Sequence, residues 1–282
     1  MSDEERVTRL FPQLGDVESF ERIEGGWTCD TFHVNDEWIV QLPRNERAAE
    51  RLRVQMDVLP ELAREVSAEI PVPELVSREP PAMGYRRIPG RPAADEQGIW
   101  PERLGRFLYD LHLTPPEFVG LRARSAEDVR GDARTEWARL REAGAPLLGA
   151  HERRLADDLF SGHLDDDRNW RFSPCLAHND LGPEHVLVSP EGDLVGVIDW
   201  EEVAVTDPVA DFAWWLFSWP EVGDRALAAY GGAPDDRFRD RARVAFARMP
   251  WHEVEYGLSG GGDTFVQSGL AGVRSRLALI AS

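Results

Sequence analysis

The chain has 282 residues, 42% hydrophobic and 29% charged, enough for two lobes around one cleft. Its formal net charge of −19 makes nucleic acid and anionic membrane surfaces poor partners and suits a small cationic molecule better, although most such acidity simply serves solubility. Two cysteines, Cys29 and Cys175, are too few for a disulfide framework, no apolar run approaches the ~18 residues of a membrane span, and the polar start Met1-Ser2-Asp3-Glu4-Glu5-Arg6 is no secretory leader, so a cytoplasmic protein is expected.

Residues 18–42 read as a β-meander. Glu24-Gly25-Gly26-Trp27 is its turn, and Asn35-Asp36 separates the strands Thr31–Val34 and Trp38–Leu42, the second ended by Pro43. From Asn45 a helix places Ala48, Leu52, Met56 and Leu59 on one face, with Gln55 on that same face, until Pro60 kinks or stops it. The proline-rich stretch from Ile70 to Gly90 has strand-like fragments broken by turns and suits a connector, with the lobe boundary near Gly90: 1–90 forms one lobe and 91–282 the other. Pro101–Leu113 has a helical repeat, and residues 125–160 hold two more helices. His185–Val188 and Leu194–Asp199, joined by Ser189-Pro190-Glu191-Gly192-Asp193, read as a β-hairpin that brings His185 and Asp199 to the same end, beside Asp180. Asp207-Pro208 then caps a helix running through Trp214-Trp215, and helices continue to the C-terminus.

The stretch His178-Asn179-Asp180-Leu181-Gly182-Pro183-Glu184-His185, followed by Val197-Ile198-Asp199-Trp200, carries the chemistry. An aspartate that can accept a hydroxyl proton, a metal-capable side chain five residues later and a carboxylate at the end of an apolar strand are the parts of a phosphoryl-transfer centre, where catalysis is positioning and charge neutralisation. All 32 basic residues are arginine, so phosphates must be held by arginine, backbone N–H groups or metal.

Gly26-Trp27, Tyr85-Arg86-Arg87-Ile88-Pro89-Gly90, Leu111-His112, His178-x-Asp180, Ile198-Asp199-Trp200 and Asp207-Pro208-x-x-Asp211-Phe212-Ala213 together resemble the aminoglycoside phosphotransferase family, antibiotic kinases with a protein-kinase-like fold. The resemblance covers nearly the whole chain and implies an α+β bilobal fold, with a small β-rich N-lobe and a larger, mainly helical C-lobe. It implies Asp180 as the catalytic residue, Asp199 and His185 as Mg²⁺ ligands, and ATP or GTP as co-substrate. His178 and Asp211 become scaffold residues. His185 stands where the family most often has asparagine; macrolide-phosphorylating members are similar in carrying histidine there, and a phosphate contact or a structural role stays open. Imidazole suits softer metals better than Mg²⁺.

The resemblance also places Gln41 and Gln55 where kinases keep a phosphate-binding lysine and its glutamate partner. Losing both charges together avoids the roughly 3–5 kcal/mol of a broken buried pair, and two amides hydrogen-bonded to each other would keep the link as scaffold. Arg44 either brings the missing positive charge to the phosphates or is a solvated surface group. Gly25, Gly26 and Thr28 would form the loop over the phosphates, and Met83, Tyr85 and Arg86 would approach the base. Glu201, Glu202, Asp224, Glu253 and Glu255 are candidates for substrate ammonium groups. Trp214, Trp215, Trp219 and Trp251 either stack on substrate rings or pack the core. The expected activity is transfer of the γ-phosphate to a hydroxyl of an aminoglycoside- or macrolide-type antibiotic. The alternatives are a non-catalytic kinase-like binding protein and a metal-dependent phosphohydrolase built on His178, Asp180, His185 and Asp199.

Overall fold

A computed structural model describes residues 1–24 and 26–281. Helix α1 (Asp3–Leu10) is opened by a capping box, Ser2 accepting from the Glu5 N–H while Glu5 accepts from that of Ser2. Strands β1 (Phe20–Ile23), β2 (Cys29–Val34) and β3 (Trp38–Pro43) then form the antiparallel meander, with Thr31 opposite Gln41. Asn35 and Asp36 make the tight turn with φ of 54° and 53°, a left-handed conformation these two residue types tolerate.

Helix α2 (Glu46–Leu62) begins at Asn45, whose side chain accepts from the Ala48 N–H. Pro60 does not stop it: the proline sits in the last turn, where its missing N–H removes only one helical bond. The segment read as a connector contains two strands, β4 (Leu75–Arg78) and β5 (Pro81–Arg86), which complete a five-stranded sheet in the order β1-β2-β3-β5-β4. β5 lies between β3 and β4 in a sheet covered on both faces, with Ala82 buried on the α1 side and Met83 and Tyr85 on the α2 side, so it shows an apolar run rather than alternation. Gly84 allows the close approach, because a Cβ there would lie 2.9 Å from Leu75 Cδ1. One face of the sheet packs Phe32, Val34, Val40 and Leu42 on Val7 and Phe11 of α1; the other packs Cys29, Met83 and Tyr85 on Ala48, Leu52 and Met56 of α2.

The rest of the chain is mainly helical. β6 (Arg91–Pro92) leads into α3 (Trp100–Leu113), α4 (Ala126–Gly144) and α5 (Ala150–Asp165). Next come β7 (Cys175–Ala177), β8 (Val186–Val188), β9 (Leu194–Val197) and β10 (Ala204–Thr206), where β7 pairs with β10 and β8 lies between β6 and β9. Helices α6 (Ala213–Ser218), α7 (Pro220–Ala229), α8 (Phe238–Tyr256) and α9 (Asp263–Ala281) follow. Asp207 caps a 3-10 turn, Pro208–Asp211, rather than a continuous helix, and α6 starts only after it. α3 lies directly on α7, since a Cβ on Gly105 would come within 2.0 Å of the Ala226 carbonyl. Trp100, Phe107, Trp200, Phe212 and Trp215 fill the core behind the β7–β9 segment, and Trp137, Phe160 and Trp251 fill a second core between α4, α5 and α8. The small β-rich lobe and the larger helical lobe face each other across the loops that carry Asp180 and Asp199.

Candidate active site

Asp211, fully buried at the end of the 3-10 turn, holds the loop after β7. Its two oxygens accept from the backbone N–H groups of His178 (3.0 Å) and Asn179 (2.7 Å), and His112 Nε2 lies 3.1 Å away. Burial opposes the charged form, but these donors outweigh it and keep the carboxyl below its ordinary pKa. His178, also fully buried, donates from Nε2 to the Ile198 carbonyl at 2.9 Å and so ties the Asp180 loop to the strand before Asp199; burial pushes its pKa down. Asn179 and Asp199 both take left-handed φ, 68° and 66°, at the points where the two loops turn toward each other.

His185 sits in a 3-10 turn just before β8 and links the two aspartates. Its Nδ1 lies 2.7 Å from the Asp180 backbone carbonyl, which can only accept, so Nδ1 carries the proton and Nε2 faces Asp199 Oδ2 at 3.4 Å. Asp180 is exposed, and among the described residues its carboxylate makes no hydrogen bond or ion pair. Burial raises the Asp199 pKa to about 6; Glu201, Asp180 and Glu202 add to the rise and His185 opposes it. Carboxylates crowded in this way, beside the imidazole of His185, fit a divalent cation. Among the described residues no three His, Cys, Asp or Glu side chains converge as a metal cage.

Across the cleft, the Thr28 hydroxyl donates to Glu201, and Arg51 of α2 pairs with Glu202. Trp27 stacks on Tyr256 with ring centroids 4.6 Å apart and meets Phe265 edge-on at 5.3 Å. Gly25 lies outside the described residues; Gly26 is described, and its carbonyl accepts from Arg44 at 2.6 Å. Arg44, an exposed residue, also pairs with Asp30 at 2.8 Å and so ties the Gly26 carbonyl to β2.

Several expectations are corrected. Gln41 and Gln55 are both buried yet do not bond each other: among the described residues Gln41 Oε1 and Gln55 Nε2 have no partner. Met83 is fully buried and has no surface left for a base. Tyr85 is nearly buried; burial, with Asp199 nearby, raises its hydroxyl pKa. Arg86 follows the strand alternation to the opposite face, over the Trp38 ring at 3.8 Å and paired with Glu37 and Glu74, away from the cleft. Trp215 is fully buried in the core and cannot touch a substrate, and Trp214 packs beside it, partly buried. Trp251 belongs to the second core, while Asp224 and Glu255 are paired with Arg239 and Arg139. The residues sequence reasoning missed are Arg51, Tyr256 and Phe265. Arg47 and Arg51, one turn apart and off the apolar face of α2, were the available signal for the first.

Residues 19–247 match the phosphotransferase enzyme family, APH. The chain belongs to this family. It is a kinase-type phosphotransferase. It is 27% identical over 264 residues to viomycin phosphotransferase of Streptomyces vinaceus, with 84% of this chain and 86% of that protein covered. It is also 26% identical over 195 residues to the uncharacterized protein YcbJ of Bacillus subtilis; this match covers 62% of this chain and 61% of that protein's length. The fold superimposes on the GDP and kanamycin complex of APH(2")-IIIa with a TM-score of 0.87 at 20% identity, covering 98% of both chains. It superimposes on the macrolide 2'-phosphotransferase MphH from Brachybacterium faecium with a TM-score of 0.74 at 25% identity, covering 95% of this chain and 98% of that one. These likenesses account for the bilobal fold of this phosphotransferase. Among the described residues no helix is long and apolar enough to cross a membrane.

Proposed function

We propose that this phosphotransferase, working in the cytoplasm, moves the γ-phosphoryl group of ATP or GTP to a hydroxyl of an antibiotic-type small molecule. We further divide it into a nucleotide-binding lobe, 1–90, and a catalytic and acceptor-binding lobe, 91–282. The observation that carries the reading is the His185 bridge, which sets the unpartnered Asp180 carboxylate and the Asp199 carboxylate on two sides of one imidazole. The relatives named for viomycin and macrolides, and the neighbour solved with kanamycin, support an antibiotic acceptor.

In this mechanism Asp180 orients the acceptor hydroxyl and takes its proton as the in-line displacement proceeds, with no covalent phosphoenzyme. Asp211 and His178 fix the loop so that the carboxylate needs no reorganisation. Asp199 and His185 Nε2 would hold Mg²⁺, which supplies charge neutralisation on the phosphate oxygens. Gly26 and Thr28 lie on the loop that would cover the phosphates, and the buried, uncharged Gln41 and Gln55 leave the cation and backbone N–H groups as the phosphate anchors.

The test pairs binding with turnover. Mg-ATP or Mg-GTP at about 100 times its dissociation constant should stabilise the protein by about 2.7 kcal/mol, which names the donor. Asp180→Asn should keep that shift and lose about 10²–10⁴-fold in transfer. A nucleotide shift with equal transfer by wild type and Asp180→Asn would remove Asp180 from catalysis. No shift with either nucleotide would favour the non-catalytic reading, which the missing charges at Gln41 and Gln55 motivate.

A further inference from the structure

The wall that runs from Asp180 toward α8 and α9 is less acidic than the composition suggests. Glu202 lies near Asp180, which helps raise its pKa beyond the effect of burial, while Arg51, Arg47 and His252 oppose the rise. Arg51 closes on Glu202 as an ion pair from the opposite lobe, and Arg47 sits one turn earlier on the same helix. Further along this wall Glu136 is held by Arg248 at 2.9 Å and His252 at 3.2 Å, and Glu255 by Arg139. One turn beyond His252, Tyr256 stacks with Trp27 and meets Phe265 edge-on. Carboxylates already paired with arginine offer a cationic acceptor little, because each ammonium must displace a guanidinium before it gains an ion pair.

We propose that Arg51 is a specificity-determining residue of the acceptor site: by neutralising Glu202 it selects against polycationic acceptors and favours alcohols that carry few charges. The proposal rests on the kinase reading for the site's identity, but its charge logic is testable by binding alone. Substrates with one amine or none fit the arrangement as it stands. Polycations fit it only after Arg51 leaves.

The experiment measures binding of two probes, polycationic kanamycin and the macrolide erythromycin with its single amine, by titration calorimetry to the full-length protein. Wild type, Arg51→Gln, Arg47→Gln/Arg51→Gln and Arg51→Gln/Glu202→Gln are compared, each first checked for an unchanged melting transition and for its Mg-nucleotide shift. Arg51→Gln is expected to tighten kanamycin by about tenfold, with a steeper salt dependence, while erythromycin changes by less than about twofold. The Arg47→Gln/Arg51→Gln double variant should gain further, and Glu202→Gln in the Arg51→Gln background should return kanamycin to the wild-type level or weaker. A purely structural role for Arg51 could not produce a gain that Glu202→Gln reverses. The proposal is overturned by unchanged, weakened or undetectable kanamycin binding in Arg51→Gln, by an equal gain for both probes, or by a gain that survives Glu202→Gln. A missing nucleotide shift across all variants would instead count against the kinase reading and leave the charge result readable on its own.

Discussion

Asp211 concentrates more structural work than any other single carboxylate near the site. Both its oxygens are committed to the His178 and Asn179 N–H groups, with His112 beside it, and it has no exposure. Asp211→Asn would turn one acceptor into an NH₂ that faces a backbone donor. The expected result is a loss of about 2–4 kcal/mol in chemical denaturation, together with slower transfer because the Asp180 loop loses its anchor. An unchanged denaturation midpoint would show that the loop is held without it. At this scale the order His178, Asp180, His185, Asp199 was legible because these residues sit in two short stretches joined by a hairpin, so local spacing sets their geometry. The state of Gln41 and Gln55 was not legible: sequence shows that both charges are gone, but not that Gln41 Oε1 and Gln55 Nε2 are buried without a partner among the described residues.

Elements set off by clear turn residues or a helical period were readable, and β5 was not. Asn35-Asp36 separates β2 from β3 and α2 shows an apolar stripe, whereas β5, buried on both sides and flanked by prolines, resembled a connector. The junction of α4 with α8 yields a pH prediction. Glu136, with 27% side-chain exposure, loses solvation on burial, which favours its neutral form; Arg248, His252 and Arg139 more than reverse this and lower its pKa from 4.5 to about 2. A carboxylate depressed in the folded state adds stability that is complete above pH 4.5 and disappears as pH falls through about 2, here about 3 kcal/mol. Thermal melts of Glu136→Gln should therefore run below wild type at pH 7 and converge with it near pH 2. Parallel pH profiles for the two proteins would refute the role of this cluster.

The two lobes of the whole molecule are joined by contacts that no local pattern could announce, because their partners lie far apart in the chain. Thr28 meets Glu201, Arg51 of α2 meets Glu202, and Trp27 meets Tyr256 and Phe265, so the loop between β1 and β2 is fastened to the segment after Asp199 on one side and to α8 and α9 on the other. Arg44 stiffens that loop from within its own lobe through Asp30 and the Gly26 carbonyl. The loop therefore has partners in both lobes, and the free energy of opening it reports on those contacts. An aromatic stack contributes about 0.5–1.5 kcal/mol beyond the area it buries, so Trp27→Ala should speed amide hydrogen exchange across the β1–β2 loop by about three- to tenfold. β3 and α2, held by their own cores, should exchange as in wild type. Acceleration spread over the whole small lobe would mean that Trp27 supports the fold rather than the closure, and no acceleration would mean that Thr28 and Arg51 hold the lobes together without it.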